Sequence, residues 1–127
     1  MCKLCDSDPK AHSFFRIATE RETQIFYSCP AEATRYWDKE GIVNHCNEKL
    51  AEKGDADWIY TFDGKGFGLK HALEIGVALG LLGVLKKHEH TLKEIRMINT
   101  SPHVKTMMKT MQPFMPTSIS RKIVWKS

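Results

Sequence analysis

The sequence predicts an α/β domain: a single mixed, partly parallel sheet of about five strands with helices packed against it, in the order β-β-α-β-α-β-α-β. Three observations carry this. Trp58-Ile59-Tyr60-Thr61-Phe62 is a dense run of aromatic and β-branched residues that stops abruptly at Asp63-Gly64-Lys65-Gly66, the pattern of a central strand entering a tight connection. Two strand–helix alternations follow, at a spacing that suits right-handed crossovers between parallel strands. Two short strand-forming runs precede it and read as a hairpin.

Taken in order, residues 1–12 form a polar, cysteine-bearing N-terminal tail in which Pro9 opposes a helix, and 13–127 form the domain. Ser13–Thr19 and Thr23–Cys29 are the hairpin strands, joined by a three-residue loop, Glu20-Arg21-Glu22. Phe15 and Ile17 share one face of the first strand, Ile25 and Tyr27 one face of the second. Pro30 suits a helix start, and Ile42/Val43, Cys46 and Leu50 recur at helical spacing between Ala31 and Lys53. Gly41 interrupts that segment and predicts two short helices or one kinked helix, with Gly54 as the C-terminal cap. Gly68–Lys87 is apolar on most faces, which predicts a largely buried helix. Gly76, Gly80 and Gly83 permit close approach of another backbone there, either the protein's own sheet or a second copy in a homodimer. Thr91–Asn99 is the next strand. Ser101 then caps a helix that has Pro102 at its first position and an apolar stripe of Val104, Met107, Met108 and Met111. Pro113 and Pro116 limit it, and Ser120–Trp125 reads as a lysine-flanked edge strand.

At 127 residues and 14.6 kDa the chain is one domain. Its longest apolar stretch, Ile75–Leu85, contains three glycines and ends at Lys86-Lys87. That is far short of the roughly 20 residues that span a bilayer. The first ten residues hold no apolar signal core, so the expectation is an intracellular protein that is not secreted. Charge is unevenly distributed. Residues 1–85 carry ten basic and thirteen acidic side chains, whereas residues 86–127 carry nine basic side chains against Glu89 and Glu94. A positive C-terminal third suits an anionic partner: phospholipid, nucleic acid or an acidic protein.

Three stretches of the second half carry a family pattern. Ile59–Gly66 (IYTFDGKG) ends a strand in an Asp-x-x-Gly-like turn, and Ile95–Pro102 (IRMINTSP) runs a strand into an Asn and then a Pro. Val104–Ile119 passes through Pro113-Phe114 to a lysine-headed strand, KIVW at 122–125. Together, residues 57–125 resemble the core of a CRAL-TRIO domain, the lipid-binding module of phospholipid-, retinal- and tocopherol-transfer proteins. The resemblance implies a minimal version of that α/β scaffold, without the family's helical N-terminal extension or the gate helix that closes its lipid cavity. The related topology of STAS domains is the second choice.

Few residues carry recognisable chemistry. Cys2 and Cys5 form a C-x-x-C, and the hairpin brings Cys29 and His12 near the same end. These four, Cys2, Cys5, His12 and Cys29, would surround a tetrahedral zinc and pin the tail to the sheet; the alternative is a tail with free thiols. Cys46, on an apolar helix face, reads as a buried small side chain. Asp63-Gly64-Lys65-Gly66 sits where ligands bind in α/β sheets, but it is neither a P-loop nor G-x-G-x-x-G. Lys65 and the loop amides would hold at most an anion. His71, His88, His90 and His103 are scattered and no nucleophile elbow is present, so the chain does not read as an enzyme. The methionines 97, 107, 108, 111 and 115 form either core or an adaptable apolar surface. Lys65, Lys86, Lys87, Lys105, Lys109, Arg121, Lys122 and Lys126 are the candidates for anion or partner contact. The expected function is a non-catalytic interaction or scaffold protein that uses a homodimer and a basic C-terminal surface. The alternatives are a lipid-binding or anionic-membrane-surface module and a nucleic-acid-binding protein. No cofactor is expected apart from the structural zinc.

Overall fold

Strand β3 (Trp58–Asp63) is the middle strand of a five-stranded sheet, and all six of its residues are buried. The computed structural model describes residues 5, 7, 8 and 10–126. Its elements are β1 (Phe15–Glu20), β2 (Thr23–Ser28), α1 (Lys39–Glu52), β3, α2 (Leu69–Ala72), α3 (Ile75–Lys87), β4 (Leu92–Ile98), α4 (Pro102–Met111), α5 (Thr117–Ser120) and β5 (Ile123–Trp125). Strand order in space follows the chain, β1-β2-β3-β4-β5; β1 and β2 are antiparallel and every later pair is parallel. Parallel neighbours laid down in chain order by right-handed crossovers put their connecting helices on one face.

Burial agrees with that placement. Trp58, Tyr60 and Phe62 share the core cluster with Phe14 and Phe26, with Leu50 of α1, Leu82 of α3, and Val104 and Met111 of α4. Ile25 and Ile59, of opposite parity, are buried outside this cluster on the sheet's other face. Each large apolar side chain removed from water contributes about 1.5–3 kcal/mol, so this one-sided cluster is the main source of stability.

The predicted fold class is the one observed, with local differences. The hairpin loop has two residues rather than three, because Glu20 pairs with Thr23 and only Arg21 and Glu22 lie outside the ladder. Both have positive φ, 47° and 71°, the geometry that matches the twist of the flanking strands. Gly41 produces neither a kink nor a second helix. It lies in the first turn of α1, where its N–H donates to the side chain of the N-cap Asp38 at 3.1 Å. The segment before it is held open by backbone bonds from Thr34 and Arg35 to the carbonyls of Lys10 and Ala11. Gly54, at φ 62°, follows α1 as its left-handed terminus.

The expected Gly68–Lys87 helix is split into α2 and α3 at Leu73-Glu74, and it is not largely buried. Only Leu82 and Val84 of α3 are fully buried, while Leu69 and Leu73 are 60% and 70% exposed. Ser101 caps α4 through its hydroxyl, which accepts from the Val104 N–H, and Pro102 opens the helix as the sequence predicts.

Candidate functional site

The apolar faces of α3 and α4 do not close fully over the sheet. Between them lies a cavity of about 90 Å³, floored by Tyr60 and Phe62 of β3 and Ile95 and Met97 of β4. Val77, Ala78, Leu81, Leu82 and Leu85 of α3 form one wall, and Met107, Met108 and Met111 of α4, with Met115, form the other. The helical spacing of the methionines puts them on this one face. Met108, Met115 and Ile123 also border an outer groove of about 370 Å³, flanked by Lys105, Lys109 and Trp125. An apolar interior therefore shares Met108, Met115 and Ile123 as a wall with a groove that carries two lysines one turn apart on α4.

Polar groups in the cavity are few. The Tyr60 hydroxyl is buried and makes no hydrogen bond among the described residues. Burial pushes that phenol well above its ordinary range, and the neighbouring Ser28 side chain offsets only part of the rise. His71 is buried against the Phe67 and Tyr36 rings, and its Nδ1 accepts the Gly68 N–H at 3.0 Å, fixing the start of α2. Burial, aided by the nearby Lys70, lowers its pKa, which favours a neutral ring.

At the C-terminal end of β3, Asp63 holds the Asp-Gly-Lys-Gly turn together. Its Oδ1 accepts from the Lys65 backbone N–H and from Asn99 Nδ2, both at 2.9 Å, and its Oδ2 accepts from the Tyr27 hydroxyl. Burial alone would raise its pKa, but the bonds from Tyr27, Asn99 and Lys65 outweigh it and hold the carboxyl below the usual 3.8. Gly64 leaves no room for a side chain: an added Cβ would lie 2.7 Å from the Asn99 carbonyl oxygen. The turn thus locks the end of β3 to the Asn-x-x-Pro end of β4. Lys65 is exposed beside it.

The structure brings Cys5 and His12 together, adds His45, and places Cys29 elsewhere. Cys5 Sγ lies 3.7 Å from His12 Nδ1 and 3.5 Å from His45 Nδ1. His12 Nε2 faces Asp38 Oδ2 at 3.2 Å, and His45 Nε2 donates to the Phe14 carbonyl at 2.8 Å. Both rings are buried, and burial pushes the His45 pKa down. Cys29 is one residue past β2 and continues the parity of Tyr27, away from the helix layer that supplies His45; its thiol donates to the Lys65 carbonyl at 3.5 Å. Cys2 lies outside the described residues. Cys46 is buried, as its helical position implies.

The remaining predicted contact residues lie on α3 and around β5. Lys86 and Lys87 end α3, Arg121 and Lys126 flank β5, and Lys122 Nζ donates to the Glu89 carbonyl at 3.0 Å. Of the three glycines of α3, Gly80 faces α1: an added Cβ there would lie 2.9 Å from Val43 Cγ2 and 3.2 Å from Lys39 Cγ. Gly76 stands farther off, with Lys39 at 3.9 Å, and Gly83 meets nothing within 4 Å.

No helix among the described residues is long and apolar enough to cross a membrane. No protein-family profile and no curated protein matches the sequence. Solved structures do match. The crystal structure of Sfh5 superposes with a TM-score of 0.71 over 94% of this chain and 50% of its own, at 9% sequence identity. The chain therefore spans about half the length of Sfh5. Sfh5 is a CRAL-TRIO family member, and the likeness shows that this chain has a CRAL-TRIO-like fold.

Proposed function

We propose that this protein is a non-catalytic lipid-binding module, which takes the apolar chain of an anionic amphiphile between α3, α4 and the sheet. The observation that carries the reading is the apolar cavity under α3 and α4, with its methionine wall. At about 90 Å³ it holds only a short length of hydrocarbon, well below the roughly 300–1,000 Å³ of most small-molecule sites. The wall that divides it from the outer groove is built in part from Met108 and Met115, and methionine has three rotatable bonds with which to yield. Rotation of these two side chains would merge cavity and groove into a space of ordinary ligand size. A chain lying in the cavity would bring its headgroup out beside Lys105, Lys109 and Trp125, a combination of cations and an amphipathic ring that suits a membrane interface. The exposed Leu69 and Leu73, next to the cavity-lining His71 and Glu74, add an apolar rim that would touch the bilayer during loading. The CRAL-TRIO-like fold supports the same reading.

Two measurements test it. Organic extraction and mass spectrometry of the purified protein should recover a bound lipid. Flotation with phosphatidylcholine vesicles should rise when phosphatidylserine is added. Protein that carries no lipid and floats with neither vesicle refutes the proposal.

A further inference from the structure

We infer that Cys5, His12 and His45 form a zinc site that clips the N-terminal segment to helix α1, independently of the lipid cavity. The three donor atoms lie within 4.8 Å of one another. A tetrahedral zinc, with Zn–S of about 2.3 Å and Zn–N of about 2.05 Å, sets sulfur–nitrogen separations of about 3.6 Å. The two observed separations, 3.7 and 3.5 Å, already match that edge.

The hydrogen bonds behind the rings point the same way. Asp38 Oδ2 and the Phe14 carbonyl are both acceptors, so the Nε2 of each ring carries its proton. Each Nδ1 then presents a lone pair towards the same sulfur. One cation at that point would be held by both lone pairs together with the thiolate. A histidine ligand whose far nitrogen donates to a carboxylate or a backbone carbonyl is also the usual outer arrangement of zinc sites.

Local sequence keeps this arrangement in place. Asp38 uses one oxygen to cap α1 and the other to face His12. Gly41 makes room for it, since an added Cβ would collide with Asp38 Oδ2 and lie 2.9 Å from His12 Nε2. Nitrogen and sulfur donors select zinc over magnesium or calcium. Binding releases the Cys5 thiol proton to solvent, and the three donors found among the described residues leave one tetrahedral position for a fourth.

Protein purified without chelator from zinc-supplemented cells should contain one zinc per chain by elemental analysis. After zinc removal, Co²⁺ should give a thiolate-to-cobalt charge-transfer band and intense tetrahedral d–d bands. Cys5→Ser should abolish the charge-transfer band, with its fold checked by circular dichroism, while Cys29→Ser should keep it. Asp38→Asn retains a capping oxygen but loses the carboxylate behind His12, and should weaken zinc binding about 10- to 100-fold in chelator competition. Wild-type protein that carries no zinc and gives no cobalt band overturns the inference, as does a folded Cys5→Ser variant with wild-type zinc content.

Discussion

Tyr60→Phe separates the cost of an empty cavity from its use. Tyr60 is 4% exposed, lines the cavity and has a hydroxyl without a hydrogen-bond partner among the described residues. A buried polar group left unpaired costs about 1–3 kcal/mol. Phenylalanine keeps the ring and its contacts with Trp58 and Phe62. In lipid-free protein the substitution should therefore stabilise, by about 1–2 kcal/mol in urea unfolding at unchanged m-value. At this chain length that corresponds to a rise in Tm of roughly 3–8 °C. Because the proposed lipid places only its apolar chain in the cavity, the same variant should bind a fluorescent fatty acid no more weakly than wild type. A loss of stability in the lipid-free protein would refute the reasoning, because it would mean that the hydroxyl already has a partner worth keeping.

Other perturbations test the packing, the turn and the groove. Gly80→Ala and Gly83→Ala both gain about 1 kcal/mol of helix propensity. At Gly80 the new methyl group meets Val43 at 2.9 Å, an overpacking that costs about 1–3 kcal/mol. Gly83→Ala should thus raise Tm and Gly80→Ala should not; equal shifts in thermal melts would contradict the placement of α1 on α3. Asp63 has a folded pKa below its unfolded value of 3.8. As pH falls through 3.8 the unfolded state takes up the proton first, so the stability Asp63 supplies is complete above 3.8 and lost as pH drops through the folded value. Asp63→Asn should flatten that acid limb in urea titrations, and an unchanged limb would show that the carboxylate is not what holds the turn. Replacing both Lys105 and Lys109 with Gln should weaken binding to phosphatidylserine vesicles about 30-fold, at about 1 kcal/mol per lysine. Undiminished flotation would remove the groove from the proposed headgroup site.

What the sequence discloses depends on how local the physical cause is. The interior strand Trp58–Asp63, the Ser101-Pro102 start of α4 and the glycine terminus of α1 are visible because each rests on residues within one turn or one strand of each other. The division of α2 from α3 is not visible, since Leu69, Leu73, Val77 and Leu81 keep helical spacing across it and the interruption lies in the backbone at Glu74. The unfilled space under α3 is hidden for a related reason. An apolar helix over a sheet looks the same in sequence whether its side chains meet the opposite wall or stop short of it, and only the methionine-rich stripe of α4 hints at an adaptable surface.

The cysteine–histidine cluster shows the limit most clearly. Cys5 and His12 are seven residues apart and suggest each other, whereas His45 comes from a helix 33 residues beyond His12. Its one local signal is position: Ile42, His45, Cys46 and Leu50 share the inward arc of α1, so a histidine sits where an aliphatic side chain would otherwise be expected. The sequence offers Cys29 instead, because it ends β2 near the start of β1. Strand parity decides against that choice. Tyr27 and Cys29 face away from the helix layer, and the third donor has to come from the layer that packs on Phe14. Placing a ligand on a sheet therefore takes its parity as well as its position along the strand, and a one-residue shift in β2 would have brought Cys29 to the helix-facing side in place of Ser28.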